Sequence, residues 1–324
     1  MKQSMKLVSV WAVVLAAAFV AMPAQADPPG GTHAHGLGLT FTPKEAFAKY
    51  PKLLVSRGLD SDRPTRLVLT DYLPNVVDQG DTGSCVGWST AYYFYSYTVA
   101  QNYGLSPAQV NSPQFQFSPN FIWDQYNSGD AQKGMHIYEA MDVLSKQGCC
   151  TFQEIPWDPT GKAPVVDAAK TRALKYKARR TTSLFEGAPS DPADPEKLKT
   201  VIAETHRPIV LGIELYNDFY EVPHDTDFVY SPAANAIHIG AHAICIIGYD
   251  DAKHAFRMVN SWGTYWGDNG FLWLSEDYVK RDAKEGWTQD PGGPKSRDAS
   301  SGVEKLIKFK HLSIQPARQT ATAR

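Results

Sequence analysis

Neither sign of charge dominates this chain. Its 324 residues carry 32 Lys and Arg against 34 Asp and Glu, a formal net charge of −2. With no basic stripe either, nothing draws a polyanion, and no nucleic-acid partner is expected. Long apolar runs are scarce. LVSVWAVVLAAAFVAM, residues 7–22, falls short of the roughly 20 residues a spanning helix needs. Lys2 and Lys6 precede it and Ala24-Gln25-Ala26 follows. That order reads as a secretory leader over residues 1–26, cleaved after Ala26. The mature chain is therefore expected in the periplasm or secreted, with no membrane span once the leader is gone. Cysteines number four: Cys85, Cys149, Cys150 and Cys245. Export permits disulfides. The neighbours Cys149 and Cys150 are poorly placed to bridge each other, and Cys245 lies in an apolar run, where a cysteine acts as a small hydrophobe. One bridge, Cys245 to Cys149 or Cys150, stays open, with Cys85 as the free thiol. There is no internal repeat.

What is present is core material. The chain is 43% hydrophobic and 12% aromatic, enough for one large domain or two lobes. Residues 27–64 are rich in Pro, Gly and His and read as a disordered N-terminal extension. TPKEAF within it is a helix start, with Thr42 as cap, Pro43 first and Glu45 third. His33 and His35 have no third ligand nearby, so no metal site is expected there. A helix apolar on all sides should run from a cap at Ser84 to about Val99, with Gly104 beyond its end. FSPNFIWDQY repeats the start signal at Ser118 and Pro119. In GMHIYEAMDVLSKQG, Ile137, Met141 and Leu144 keep helical spacing up to Gly148. Residues 65–157 thus read as mainly helical, and 158–195 as a long polar connection. DPEKLKTVIAE is a further helix opening at Pro195. The strand-like segments PIVLGIEL, HAICIIGYD, AFRMVNSW and GFLWLS follow. From about 289 the composition turns to Pro, Gly, Ser and Lys. LIKFKHLSI, residues 306–314, is expected as an edge strand and the last ten residues as frayed. The class is α+β, a helical half followed by a sheet half.

The chemistry centres on DQGDTGSCVGWSTAYYFYSY, residues 78–97. A nucleophilic cysteine needs a thiolate, a proton acceptor and a stabilised oxyanion. Cys85 at the first turn of a helix meets the positive end of the helix dipole. Its own N–H can serve as one oxyanion donor. Gln79, across the GDTG turn, offers a second. Of nine histidines, His242 is best placed as the base, because it opens an apolar strand that could aim it. A histidine needs an orienter for its ring. Asn260 begins NSWG at the end of the next strand, and neighbouring antiparallel strands would bring the two together. Trp262 could shield that bond from water. Taken singly, each has a plainer explanation. A cysteine in an apolar helix is usually structural, a strand-edge histidine usually lies at the surface, and NSWG alone is a turn. The joint order Gln, Cys, His, Asn outweighs these.

Those residues resemble the papain-like cysteine peptidases. QGDTGSCVGW resembles the family's cysteine motif, GAHAICIIGYDD its histidine strand and NSWGTYWGDNGF its Asn-Ser-Trp-Gly segment. His242 and Asn260 lie 157 and 175 residues beyond Cys85, against about 130–150 in the family, so the middle connection is expected to carry an insertion. The resemblance covers residues 65–288 and implies a two-lobe fold, one lobe helical and one an antiparallel sheet or barrel, with the site in the cleft between them. It implies Cys85 as nucleophile, His242 as acid and base, Asn260 as orienter and Gln79 as oxyanion donor. Gly83, Gly134, Met135, Ala243 and Trp262 would line the substrate cleft, with Trp266 as the wall on the leaving-group side. Thr82, Val86 and Ala241 depart from the family pattern without removing a catalytic group. The implied partner is a peptide or protein substrate, with a proteinaceous inhibitor compatible, a monomeric enzyme and no metal or organic cofactor. Transpeptidase or amidase action would use the same acyl-enzyme, and a catalytically silent binding protein on this fold is a further alternative. Residues 27–64 leave no room for a long helical inhibitory prodomain. The mature chain is therefore expected to act without removing them, the segment occluding the cleft only weakly.

Overall fold

The apolar run after Ser84 folds into one buried helical rod. In the computed structural model it starts as α-helix (Cys85–Gly87), widens into a π-helix (Trp88–Tyr95) and ends as α-helix (Ser96–Tyr103). Every residue from Cys85 to Ala100 is buried. Gly104 closes the rod in the left-handed region, at φ 63°, a conformation that suits glycine. The Ser84 side chain does not cap the rod; its hydroxyl pairs with that of Thr82 at 2.6 Å. The structure describes residues 35–55, 63–291 and 312–317, all within one compact unit, His33–Arg324. The expected leader (residues 1–26), His33 and most of the expected edge strand before Leu312 lie outside the described residues.

The other expected helices form. Pro119–Trp123 is capped by Ser118, whose side chain accepts from the Phe121 amide. Ile137–Lys146 buries Ile137, Met141 and Leu144, and Gly148 follows at φ 82°. Pro195–Thr205 is capped by Asp194. The stretch 158–195 holds more than a connection. It contains a helix, Asp167–Ala173, and a fully buried strand, Thr181–Phe185. The short helix Lys44–Phe47 follows Pro43, not Thr42. The Thr42 hydroxyl is engaged elsewhere, donating to Glu285 Oε2 at 2.6 Å.

In chain order the strands are β1 (Lys52–Val55), β2 (Arg66–Val68), β3 (Thr181–Phe185), β4 (Ile209–Tyr216), β5 (Val229–Tyr230), β6 (His238–Asp250), β7 (Ala255–Val259), β8 (Phe271–Ser275), β9 (Ala283–Gln289) and β10 (Leu312–Gln315). They form an open sheet in the order β10-β1-β3-β9-β4-β6-β7-β8-β5, with β2 added to β6. The pairings are antiparallel except β1–β3 and β5–β8, so the sheet is mixed where an antiparallel one was expected. β9 was not anticipated at all, yet it lies between β3 and β4. β10 does sit at the edge, against β1.

One apolar core joins helices and sheet, from Trp88 and Phe121 to Ile213, Ile244 and Trp287. The first turn of the rod packs against β6. Lys199 is a buried cation in this frame. It is 3% exposed at its side chain and meets Glu196, Asp251 and Glu276 within 2.9 Å. Those three carboxylates satisfy an ammonium that would otherwise be costly to bury. Among the described residues no helix is long and apolar enough to cross a membrane.

Candidate active site

Cys85 stands at the first turn of the buried rod, and β6 brings His242 beside it. His242 does not open its strand, as the sequence suggested. β6 begins four residues earlier, because β4 runs alongside and pairs Ile213 with His242. β7 has ended by that level, since Cys245 already faces its last residue, Val259. The next segment, Asn260–Trp262, therefore takes its place. Asn260 Oδ1 lies 2.9 Å from His242 Nε2 and also accepts from the Ser261 amide at 2.9 Å. That second bond fixes the oxygen toward the ring. His242 Nε2 must then carry the hydrogen, which leaves Nδ1 as the basic nitrogen. Nδ1 has no hydrogen-bond partner. The Trp262 ring covers His242 at 4.9 Å between centroids.

Gln79 is locked from three sides. Its backbone amide donates to Ser261 O at 2.7 Å. Its side-chain Oε1 accepts from the Ser261 hydroxyl at 2.6 Å. Its Nε2 donates to Thr82 O at 2.7 Å and to Gly36 O at 2.9 Å. The one side-chain N–H not used within the motif thus points at the Gly36 carbonyl. Sequence reasoning missed Ser261. Its only signal was its place between Asn260 and Trp262.

The Gly36 carbonyl belongs to the N-terminal segment, expected from the sequence as disordered but ordered over residues 35–55. It runs through the cleft. Leu39 pairs in parallel with Met135. The Met135 amide donates to Gly38 O at 2.9 Å, and the Thr40 amide to Met135 O at 3.2 Å. The approach is so close that a Cβ on Gly38 would lie 1.8 Å from Gly83 O, and one on Gly134 would lie 1.7 Å from Gly38 O. Beyond the cleft, Thr42 anchors the segment to Glu285 through its amide at 3.2 Å and through its hydroxyl. At the other end the His35 ring stacks on Trp262, 4.7 Å between centroids. Cys85 and His242 are both 0% exposed as a result.

Closure changes the electrostatics. Burial pushes the Cys85 thiol up, against backbone amides of Ala243, Gly38, Val86 and Cys85 that favour the thiolate. Burial pulls His242 down to about 4, against the Asn260 bond, and nearby His35 lowers it further. The filled cleft therefore favours neutral thiol and neutral imidazole, not an ion pair. Cys149, Cys150 and Cys245 are buried free thiols, like Cys85, so the bridge left open by the sequence is not formed.

The catalytic and cleft-lining candidates of the sequence lie in or beside this cleft. Cys85, His242, Asn260 and Gln79 form its centre. Gly83, Gly134 and Met135 line the path of the segment, and the Ala243 amide reaches the Cys85 sulfur. Trp266 lies edge-on to Trp262 at 5.5 Å.

Comparison with known proteins points to one family. The family described as papain family cysteine protease matches residues 66–285. An uncharacterised peptidase C1-like protein of Acanthamoeba polyphaga mimivirus is 27% identical over 218 residues, 63% of this chain and 65% of that protein. Cathepsin B-like CP3 of Giardia intestinalis is 25% identical over 212 residues, 62% of this chain and 64% of that protein. The chain thus spans under two thirds of these relatives' lengths. The solved structure of xylellain, a cysteine protease from Xylella fastidiosa, shares the fold with a TM-score of 0.61 and 23% identity, covering 82% of this chain and 97% of that one. The chain belongs to the papain family of cysteine proteases.

Proposed function

We propose that the protein is an exported cysteine peptidase that cleaves peptide bonds through Cys85, His242 and Asn260. The observation that carries this reading is the Gln79 Nε2 bond to a peptide carbonyl, Gly36 O, in the segment whose Gly38 amide reaches the Cys85 sulfur. A substrate carbonyl in that position would be held by Gln79 and by the Cys85 amide. The Cys85 thiol passes its proton to His242 Nδ1, and the sulfur attacks the carbonyl carbon. The electron pair moves to the oxygen, where the two N–H donors stabilise it. The collapsing intermediate expels the amine, which takes the proton from His242, leaving a thioester. Water then gives His242 its proton and attacks the thioester, releasing the carboxylic acid and the thiol. Asn260 keeps the ring in the required tautomer throughout.

The segment occupies the cleft without being a substrate. It crosses from Trp262 toward Met135, so the nitrogen of the Gly36–Leu37 bond lies on the Met135 side. The proton donor stands on the other side, near Trp262. In this reading residues 65–288 are the peptidase domain, residues 35–42 of the N-terminal extension (27–64) close it, and residues 1–26 direct export. Cys85→Ser tests the chemistry. A hydroxyl is a much weaker acid than a thiol, so the variant should fold normally yet lose turnover of a peptide library. Residual turnover comparable to wild type would remove Cys85 from the mechanism.

A further inference from the structure

At the end of the cleft beside His242, the segment delivers one side chain into a built cage. The His35 ring is 4.7 Å from Trp262 and nearly parallel to it, at 6°. Tyr265 stacks against the same ring at 5.9 Å and 18°. Tyr265 also donates its hydroxyl to Asp78 Oδ2, and that hydroxyl lies 3.3 Å from His35 Nε2. Asp78 Oδ1, fixed by the Gly80 amide at 2.7 Å, faces His35 Nδ1 at 3.6 Å. Tyr220 stacks on Trp262 at 5.0 Å and 5°, and donates to the His35 carbonyl at 3.1 Å. The Tyr220 hydroxyl is raised by burial and then by the nearby Asp81 carboxylate. Aromatic faces plus a fixed carboxylate suit a flat cation. The rings attract positive charge through their quadrupoles, and the carboxylate pairs with it. A compact ammonium would use the carboxylate without stacking, and an anion would be repelled.

We infer that Trp262, Tyr265, Tyr220 and Asp78 form a specificity subsite for a planar cationic side chain, arginine or protonated histidine, on the leaving-group side of the scissile bond. The assignment of side rests on the peptidase reading above: His242 must protonate the departing amine, and the cage adjoins His242 through Trp262. In the closed protein His35 stands in for the substrate side chain.

The test reads the cage through its resident ligand and through substrates. In the full chain, His35→Arg, His35→Phe and His35→Glu are compared by the rate at which iodoacetamide labels Cys85. Arginine should keep the segment in place and label about tenfold more slowly than phenylalanine, the scale of a desolvated cation–π contact. Glutamate should label fastest. Asp78→Asn retains an oxygen for the Gly80 amide and should bring the arginine variant to the phenylalanine rate. Equal protection by phenylalanine or glutamate would overturn the proposal, as would an Asp78→Asn effect equal in all three. Independently, wild type should hydrolyse peptides with Arg or His in the two positions after the scissile bond about tenfold faster than peptides with Glu there. A flat series overturns the subsite while leaving the peptidase reading intact. Failure to hydrolyse any peptide after the segment has been lost overturns the peptidase reading, and the labelling series still decides the cage.

Discussion

Gln79 shows how little freedom a working side chain is allowed here. Ser261 fixes its oxygen at 2.6 Å and Thr82 O takes one of its N–H groups, so the other has a single direction. Gln79→Ala should lower kcat roughly 10²–10³-fold with little change in KM, the usual cost of one lost oxyanion donor. An effect confined to KM would place Gln79 in substrate binding instead. Ser261→Ala should show a smaller loss of the same kind, because the amide is then free to rotate. His242 makes a prediction about stability. Its folded value near 4 lies below the ordinary 6.5. Between those values the unfolded chain binds the proton and the folded chain does not, so acidification favours unfolding. From pH 7 to 5 the wild type should lose up to about 2 kcal/mol relative to His242→Gln, which cannot titrate. Urea titrations at the two pH values measure the difference. Equal losses would mean that His242 is protonated in the closed state. Cys85, His242 and Asn260 stood out in the sequence because its apolar patterns place each at a helix or strand boundary, although His242 lies four residues inside β6. Ser261 did not, because a serine in a turn has many plainer explanations.

Elements were legible where one pattern dominated. The buried rod could be recognised because its apolar residues run all round, and the helix at Ile137–Lys146 because its apolar residues recur on one face. The widening to a π-helix over Trp88–Tyr95 leaves that pattern unchanged and so left no trace. β9 was hidden for the opposite reason. AKEGWTQ carries Glu285, and a carboxylate argues against a central strand. Glu285 is nonetheless fully buried, its charge met by the Thr42 amide and hydroxyl and by Trp287 Nε1 at 2.6 Å. The N-terminal segment was misread because HGLGL has too few large apolar groups to resemble a docked element. It docks by backbone pairing and close approach, which needs glycine and not bulk. Gly38→Ala should therefore open the cleft. Its methyl would meet the Gly83 carbonyl at 1.8 Å, well inside van der Waals contact, and backbone cannot yield as a side-chain tip can. Cys85 should be labelled by iodoacetamide at least tenfold faster in this variant, with an unchanged thermal midpoint for the rest of the protein. An unchanged labelling rate would mean that the segment does not control access.

On the scale of the whole molecule, the sheet and the helices hold two halves of a site together while the chain's own N-terminus fills the space between them. Lys199 and its three carboxylates lie apart from the segment, residues 35–42, that closes the cleft. Closure does more than block the path. It buries the thiol and the imidazole, and both shifts favour the uncharged pair. Departure of the segment would rehydrate them and allow the charged pair to form. The central claim is that this is a Cys85 peptidase held shut by that segment. The most direct measurement follows hydrolysis of a peptide library by the full chain over time, with intact mass recorded at each point. The account predicts a lag that ends as the mass falls by loss of residues up to about position 43, and no activity at any time in Cys85→Ser. Full hydrolysis from the first moment by a chain of undiminished mass, or none after the segment has been removed, would contradict it.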